Sequence, residues 1–116
     1  MSAVLLHQLA HARSGDKGNR LNIALICYRP EFFDTVAAQV TPDRVAQLFA
    51  GRDVGAVQRY DLPKLWAFNF ALDHALDGGV NASLGLDGHG KTLSFRLLTL
   101  TVALPPAILS LVQQPA

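Results

Sequence analysis

The segment Leu21 to Tyr28 has the least freedom of fold. Its residues alternate, so that Leu21, Ile23, Leu25 and Cys27 share one side and Asn22, Ala24, Ile26 and Tyr28 the other. That period is the period of a β-strand. One of its faces is wholly apolar, and such a face must be buried against a second layer of structure. The remaining chain is therefore read for what can supply that layer.

Val4 to His11 is apolar with interspersed His and Gln, and short enough for another strand. The polar run Arg13-Ser14-Gly15-Asp16-Lys17-Gly18-Asn19-Arg20 reads as a loop. Pro30 suits the first turn of a helix, with Phe33, Val36, Ala37 and Val40 at helical spacing. Thr41 is placed as the N-cap of a second short helix, followed by Pro42 and Asp43. Val45, Leu48 and Phe49 give that helix its apolar stripe and Gly51 its stop. Val54 to Tyr60 reads as a weaker strand.

Pro63 opens the longest helical pattern, which closes at Gly78-Gly79. Its apolar face is Leu65, Phe68, Leu72, Ala75 and Leu76, with Asn69 inside it and Trp66 and Phe70 at the edges. Lys64, Asp73, His74 and Asp77 form the opposite side. Asn81 to Leu86 reads as a short strand, and Asp87 to Gly90 as a turn. Lys91 to Leu104 fits both periods, with Thr and Val from Thr99 to Val102 favouring a final strand. The expected fold class is α+β, a sandwich of mostly antiparallel sheet with helices packed on one face. Residues 1–104 are expected to form one domain and 105–116 a C-terminal extension, with Ile108, Leu109 and Val112 as its adhesive residues.

Composition excludes several functions. Half of the 116 residues are hydrophobic and 16% are charged, which is unlike a disordered chain. A formal net charge of +1 gives no field for nucleic acid or for an anionic membrane surface. Leu97 to Val112 is broken by Pro105-Pro106 and is shorter than the roughly 20 residues of a membrane span. The start of the chain lacks the pattern of a secretory signal. The single cysteine, Cys27, allows no internal disulfide and lies within an apolar run, so it reads as a buried structural thiol. A cytoplasmic protein is expected. Mean hydropathy of +0.23 is high for so short a chain. Part of the apolar surplus is therefore expected to be covered by another chain, a second copy or a larger partner.

Polar chemistry is concentrated at the Arg13–Asn22 segment. Glycines allow a backbone to expose N–H groups to an anion, and Arg13 and Lys17 add positive charge. The candidate ligand-binding set is Arg13, Ser14, Gly15, Asp16, Lys17, Gly18, Asn19 and Asn22, together with Asn69. The segment does not have the P-loop pattern. From the residues alone, a hairpin loop whose Asp16 and Asn19 satisfy their own backbone stands ahead of a ligand site. Asn69 on an apolar face must find a hydrogen bond or carry a cost of roughly 1–3 kcal/mol. Tying down a neighbouring loop is its simplest role, and lining a pocket the alternative. His7 and His11 share a face by spacing, but nothing in the sequence fixes the third ligand that a metal site needs. His74 and His89 read as exposed. Ser14, His11 and Asp16 lack a nucleophile elbow and an oxyanion hole, so no catalytic residue is assigned.

Ala10-His11-Ala12-Arg13-Ser14-Gly15-Asp16-Lys17-Gly18-Asn19, followed by Asn22-Ile23, resembles the signature of the AtuA-like domain. That is the C-terminal ferredoxin-fold domain of acyclic terpene utilization proteins, which also occurs as a small free-standing protein. Tyr60-Asp61-Leu62-Pro63, Asn69-Phe70, and Gly78-Gly79-Val80 with Ser83-Leu84 are similar to further family segments. The likeness covers Leu5 to Leu104. The family usually carries a small or aliphatic residue where Phe68 stands and a glycine where Asp77 stands. The resemblance implies a ferredoxin-like α+β fold without an iron–sulfur cluster, which one cysteine cannot hold, and no cofactor is expected. It also implies an accessory role in small-acid, terpenoid or acyl-CoA catabolism. The chain would dock on itself or on a larger AtuA-type subunit, with an anionic ligand at the Arg13–Asn22 segment. The alternative is a co-catalytic subunit acting on an acyl-CoA-type thioester or related acid.

Overall fold

Four strands pair side by side because their apolar residues fall at every second position. The computed structural model describes residues 2–17, 20–49, 57–72 and 94–112. Strand β1 (Ser2–Leu5) leads through a 3-10 turn (Leu6–Gln8) into β2 (Ala10–Lys17), and β3 (Arg20–Cys27) follows. A 3-10 turn (Pro30–Phe32) opens α1 (Phe33–Gln39), and α2 is Pro42–Leu48. Strand β4 (Val57–Leu62), a 3-10 turn (Pro63–Leu65) and β5 (Ala67–Leu72) form a hairpin. One helical turn at 94–97 precedes β6 (Thr101–Leu104), and α3 is Pro106–Val112.

The main sheet has the order β2-β3-β5-β4, and β1 pairs with β6 in a second, two-stranded sheet. Every pairing is antiparallel. Leu21, Ile23, Leu25 and Cys27 are buried on β3, in register with Leu72, Phe70 and Phe68 on β5. Helix α1 covers this side, with the Phe33 ring stacked on Phe68 at 4.6 Å between centroids. Val36, Val40, Val45 and Phe49 are buried in the same core, which Leu97, Val102 and Leu104 complete. The Thr41 hydroxyl accepts from the Arg44 backbone N–H at 3.2 Å, which caps α2 as its sequence requires.

Two side chains act as splints for the backbone. The carboxamide of Gln39 donates to the Ala103 carbonyl at 2.8 Å and accepts from the Ala103 N–H at 2.7 Å. It thereby satisfies β6 backbone groups as a neighbouring strand would. Arg59 donates to the carbonyls of Ala37 (2.7 Å) and Val40 (3.1 Å) and closes the end of α1 onto β4.

Several elements differ from the sequence reading. The helix expected from Pro63 to Gly79 is, over its described part, a 3-10 turn and strand β5. Phe68, Phe70 and Leu72 are buried at period two, and Leu65, expected on an apolar helix face, is exposed. Pairing with β3 and β4 on both edges prevails over helical spacing there. The expected strand from Val4 to His11 is interrupted at Leu6–Gln8, where Leu6 N–H and His7 N–H donate to the Leu100 and Leu98 carbonyls. His7 and His11 consequently lie in different elements and do not share a strand face. The expected loop from Arg13 is strand as far as Lys17. The expected extension begins with α3, whose Ile108, Leu109, Leu111 and Val112 pack against the core. The stop at Gly51, the Gly78-Gly79 helix end, the strand Asn81–Leu86, the turn Asp87–Gly90 and residues 113–116 lie outside the described residues. So do Asp73, His74, Asp77 and His89.

Candidate functional site on the uncovered face of the sheet

Strand register decides which polar residues meet. In β2, Arg13 pairs with Ala24 and Gly15 pairs with Asn22. In β5, Asn69 pairs with Ala24 and Ala71 pairs with Asn22. Directly paired residues lie on the same face of an antiparallel sheet. Arg13, Gly15, Asn22 and Asn69 therefore share the side away from α1. Asn22 is diagonal to both Arg13 and Asn69, and such neighbours are about 7–8 Å apart. The three polar residues surround the methyl group of Ala24.

Arg13, Gly15, Asn22, Ala24, Asn69 and Ala71 lie outside the core cluster. Arg13 and Gly15 are exposed, and Asn22, Ala24, Asn69 and Ala71 are half-buried. A Cβ added at Gly15 would meet no atom within 4 Å, so the surface is open there. Among the described residues, no hydrogen bond or ion pair reaches the side chains of Arg13, Asn22 or Asn69. A guanidinium offers five donors and each carboxamide two, so the group presents unused donors at close range. Carboxylates and phosphates are the groups that such donors hold best.

The other expected residues divide. Ser14 pairs with Ile23 and Asp16 with Leu21, the alternate register positions, which belong to the covered side. They are not brought together with Arg13 and Asn69. Lys17 pairs with Arg20 at the end of the hairpin, in the same alternate set as Arg13. Gly18 and Asn19 lie outside the described residues. The bracing role considered for Asn69 is not seen, since its side chain has no partner among the described residues.

The sequence reading missed the β4 contribution. Gln58 pairs with Ala71, Tyr60 with Asn69 and Leu62 with Ala67, so all three lie on the uncovered face. The Tyr60 hydroxyl donates to the Gln58 carboxamide oxygen. Alternation within Val57–Leu62 was the available signal. Towards the β4–β5 turn the next row of the face is His11, Ile26, Ala67 and Leu62, of which Ala67 is buried and Leu62 exposed. Tyr28, Leu65 and Trp66 are large exposed apolar side chains at the same end. His11 and Tyr28 have ring centroids 5.5 Å apart. A cleft of about 460 Å³ runs along Asp61, Leu62, Pro63, Lys64 and Leu65. Trp66 has φ 54°, a left-handed conformation that costs a non-glycine residue roughly 1–2 kcal/mol.

Cys27 lies on the covered side and is buried, and burial pushes its thiol up to about 12. A thiol held neutral is a packing group and a poor nucleophile. Among the described residues, no three His, Cys, Asp or Glu side chains are placed to hold a metal ion. No described helix is long and apolar enough to cross a membrane.

An antiparallel sheet with helices on one side defines an α+β protein, and the element order refines that class. The AtuA ferredoxin-like domain matches residues 4–103, and the chain belongs to that family. No curated protein and no solved structure matches it. Phe68, at which the family usually has a smaller residue, lies in the core against α1, so this departure affects helix packing and leaves the uncovered face unaltered.

Proposed function

We propose that the protein is an accessory domain of a small-acid, terpenoid or acyl-CoA catabolic system in the cytoplasm. Its uncovered sheet face receives an anionic group. The observation that carries this reading is the register that sets Arg13, Asn22 and Asn69 around Ala24 with their donors unused. Lys17, Gly18 and Asn19, singled out in the sequence, belong to the proposed site. Residues 1–104 act as the domain, and 105–116 as an extension that seals its core.

The domain docks on a second copy or on a larger AtuA-type subunit. Exposed Tyr28, Leu62, Leu65 and Trp66 support this, being more apolar surface than a lone small domain needs. The alternative of a co-catalytic subunit, in which Asp16 or His11 would handle the proton, is less favoured, because Asp16 occupies the alternate register set from Arg13 and Asn69. His11 is on the same face as Arg13, two residues from it along β2, and its ring packs on Tyr28.

Two measurements test this. Light scattering on the chain alone, and mixed with an AtuA-type subunit, should give a dimer or a mixed complex. A strict monomer that ignores the subunit overturns docking. Titration with acetate, followed by backbone amide shifts, should perturb Asn22 and Asn69 and weaken at least tenfold in Arg13→Ala. Equal affinity in the variant, or no binding by either, overturns the anion site.

A further inference from the structure

The edge of a sheet is where one chain can extend another. The Tyr28 N–H donates to the Leu9 carbonyl at 2.9 Å, so that pair is a hydrogen-bonded one, and in an antiparallel ladder such pairs alternate. Ala10, Ala12 and Ser14 of β2 therefore turn their backbone N–H and C=O groups away from β3. Strand β2 ends the main sheet, and among the described residues nothing bonds to those groups. We infer that two copies of the chain pair along β2, antiparallel about a two-fold axis at Ser14, into one continuous sheet. This rests on the docking reading above, and names the second copy as the partner and β2 as its seat.

The other edges are shorter or obstructed. Gln39 occupies the outer side of β6 at Ala103, and the Gln8 carboxamide accepts from the Leu5 N–H of β1 at 3.2 Å. Strand β4 lies against α2 and is followed by Pro63. Strand β2 is the longest edge at eight residues, and it has neither a proline nor a splint. Proteins that remain single blunt an edge of that length, commonly with charge. The charged residues of β2 are Arg13, Asp16 and Lys17, and register decides whether they oppose pairing.

Symmetry leaves few registers. Residues directly opposite share a face, so a two-fold axis across the sheet sets one residue against its own copy. In a strand of eight residues the longest overlaps centre on Arg13 or on Ser14. Centred on Arg13, two arginines stand opposite, and like charges directly opposite destabilise. Centred on Ser14, Arg13 faces the partner's Gly15, where a Cβ would meet no atom within 4 Å and a long side chain has room. Ala12 then faces the partner's Asp16, and His11 the partner's Lys17. Each Ser14 exchanges its N–H and C=O with its copy. The two Arg13 residues lie diagonally across the axis on the uncovered face, about 7–8 Å apart. An anion bound between them offsets their repulsion, so it favours the paired state.

The test uses the full chain, with light scattering for its state and a non-reducing gel after mild oxidation for its register. The wild type is expected to be a dimer. Ser14→Pro removes an outward N–H that β3 does not use, so it should fold with wild-type circular dichroism and scatter as a monomer. Ser14→Cys sets two Cα atoms about 5.5 Å apart across the axis, within disulfide range, and should cross-link. Ala12→Cys sets them roughly 13 Å apart and should not. Cys27 is buried and takes no part. Inorganic phosphate should tighten the wild-type dimer severalfold and have no effect on Arg13→Ala. A dimer that persists in Ser14→Pro, or cross-linking in Ala12→Cys and not in Ser14→Cys, overturns pairing along β2 and leaves docking at another surface standing. A wild-type monomer that binds an AtuA-type subunit does the same, and one that ignores it overturns both. If Ser14→Pro does not fold, the two cysteine variants decide. A dimer indifferent to phosphate overturns the link to the anion alone.

Discussion

Arg59 and Arg13 lie on one sheet and differ in almost everything else. Arg59 is on the covered side, where it donates to two carbonyls at the end of α1, pairs with Asp61 at 2.7 Å and sits 5.3 Å from the centre of the Phe68 ring. Arg13 is on the uncovered side and meets no described partner. The same contrast runs across the whole sheet. The covered face has its apolar groups packed and its half-buried cation satisfied. The uncovered face holds half-buried carboxamides whose donors are unused. Half-buried carboxamides beside a cation, with no partner among the described residues, add little to stability and leave their donors available to a ligand.

The contrast makes predictions that can break it. Phe68→Ala removes the ring that α1 stacks on, and should cost about 3–5 kcal/mol in urea unfolding. If the loss is below about 1 kcal/mol, α1 does not cover this face. Arg59→Met should cost about 1–3 kcal/mol, since charged hydrogen bonds to the Ala37 and Val40 carbonyls are lost. Arg13→Met should change stability by less than about 0.5 kcal/mol.

Cys27 gives a pH signature for the covered face. Its thiol moves from an ordinary 9.0 to about 12 through burial. Because the folded value is raised, the unfolded chain loses its proton first. The stability contribution is full below pH 9 and is lost as pH rises towards 12. Unfolding free energy measured across that window should fall more steeply for the wild type than for Cys27→Val. Parallel curves would show that the thiol is not buried. The smallest effect is expected at Asn69. Asn69→Leu should be neutral or slightly stabilising, because an unpaired carboxamide is replaced by an apolar group of similar shape. A loss above about 1 kcal/mol would mean that Asn69 braces the fold.

Much of the covered face was legible in the sequence. The alternation of β3, the helical spacing of Phe33 to Val40 and the Thr41 cap are local signals, and local signals survive folding. The β5 region was misread because Leu65, Phe68 and Leu72 fit a helix while Phe68, Phe70 and Leu72 fit a strand. Only the β3 and β4 partners decide between them. The polar run from Arg13 to Lys17 reads as a loop because an edge strand with one uncovered side needs few apolar residues. The candidate site was half legible. Arg13, Asn22 and Asn69 were each singled out, but their meeting depends on register, and register is not local. That also separated Ser14 and Asp16 from them, and brought in Gln58 and Tyr60.

The most direct test pairs the two arginines. Acetate affinity and urea stability would be measured on the wild type, Arg13→Ala and Arg59→Ala. The account predicts that Arg13→Ala loses binding at least tenfold at unchanged stability. It predicts that Arg59→Ala loses stability while its folded fraction binds as the wild type does. Binding lost in Arg59→Ala and retained in Arg13→Ala would contradict it.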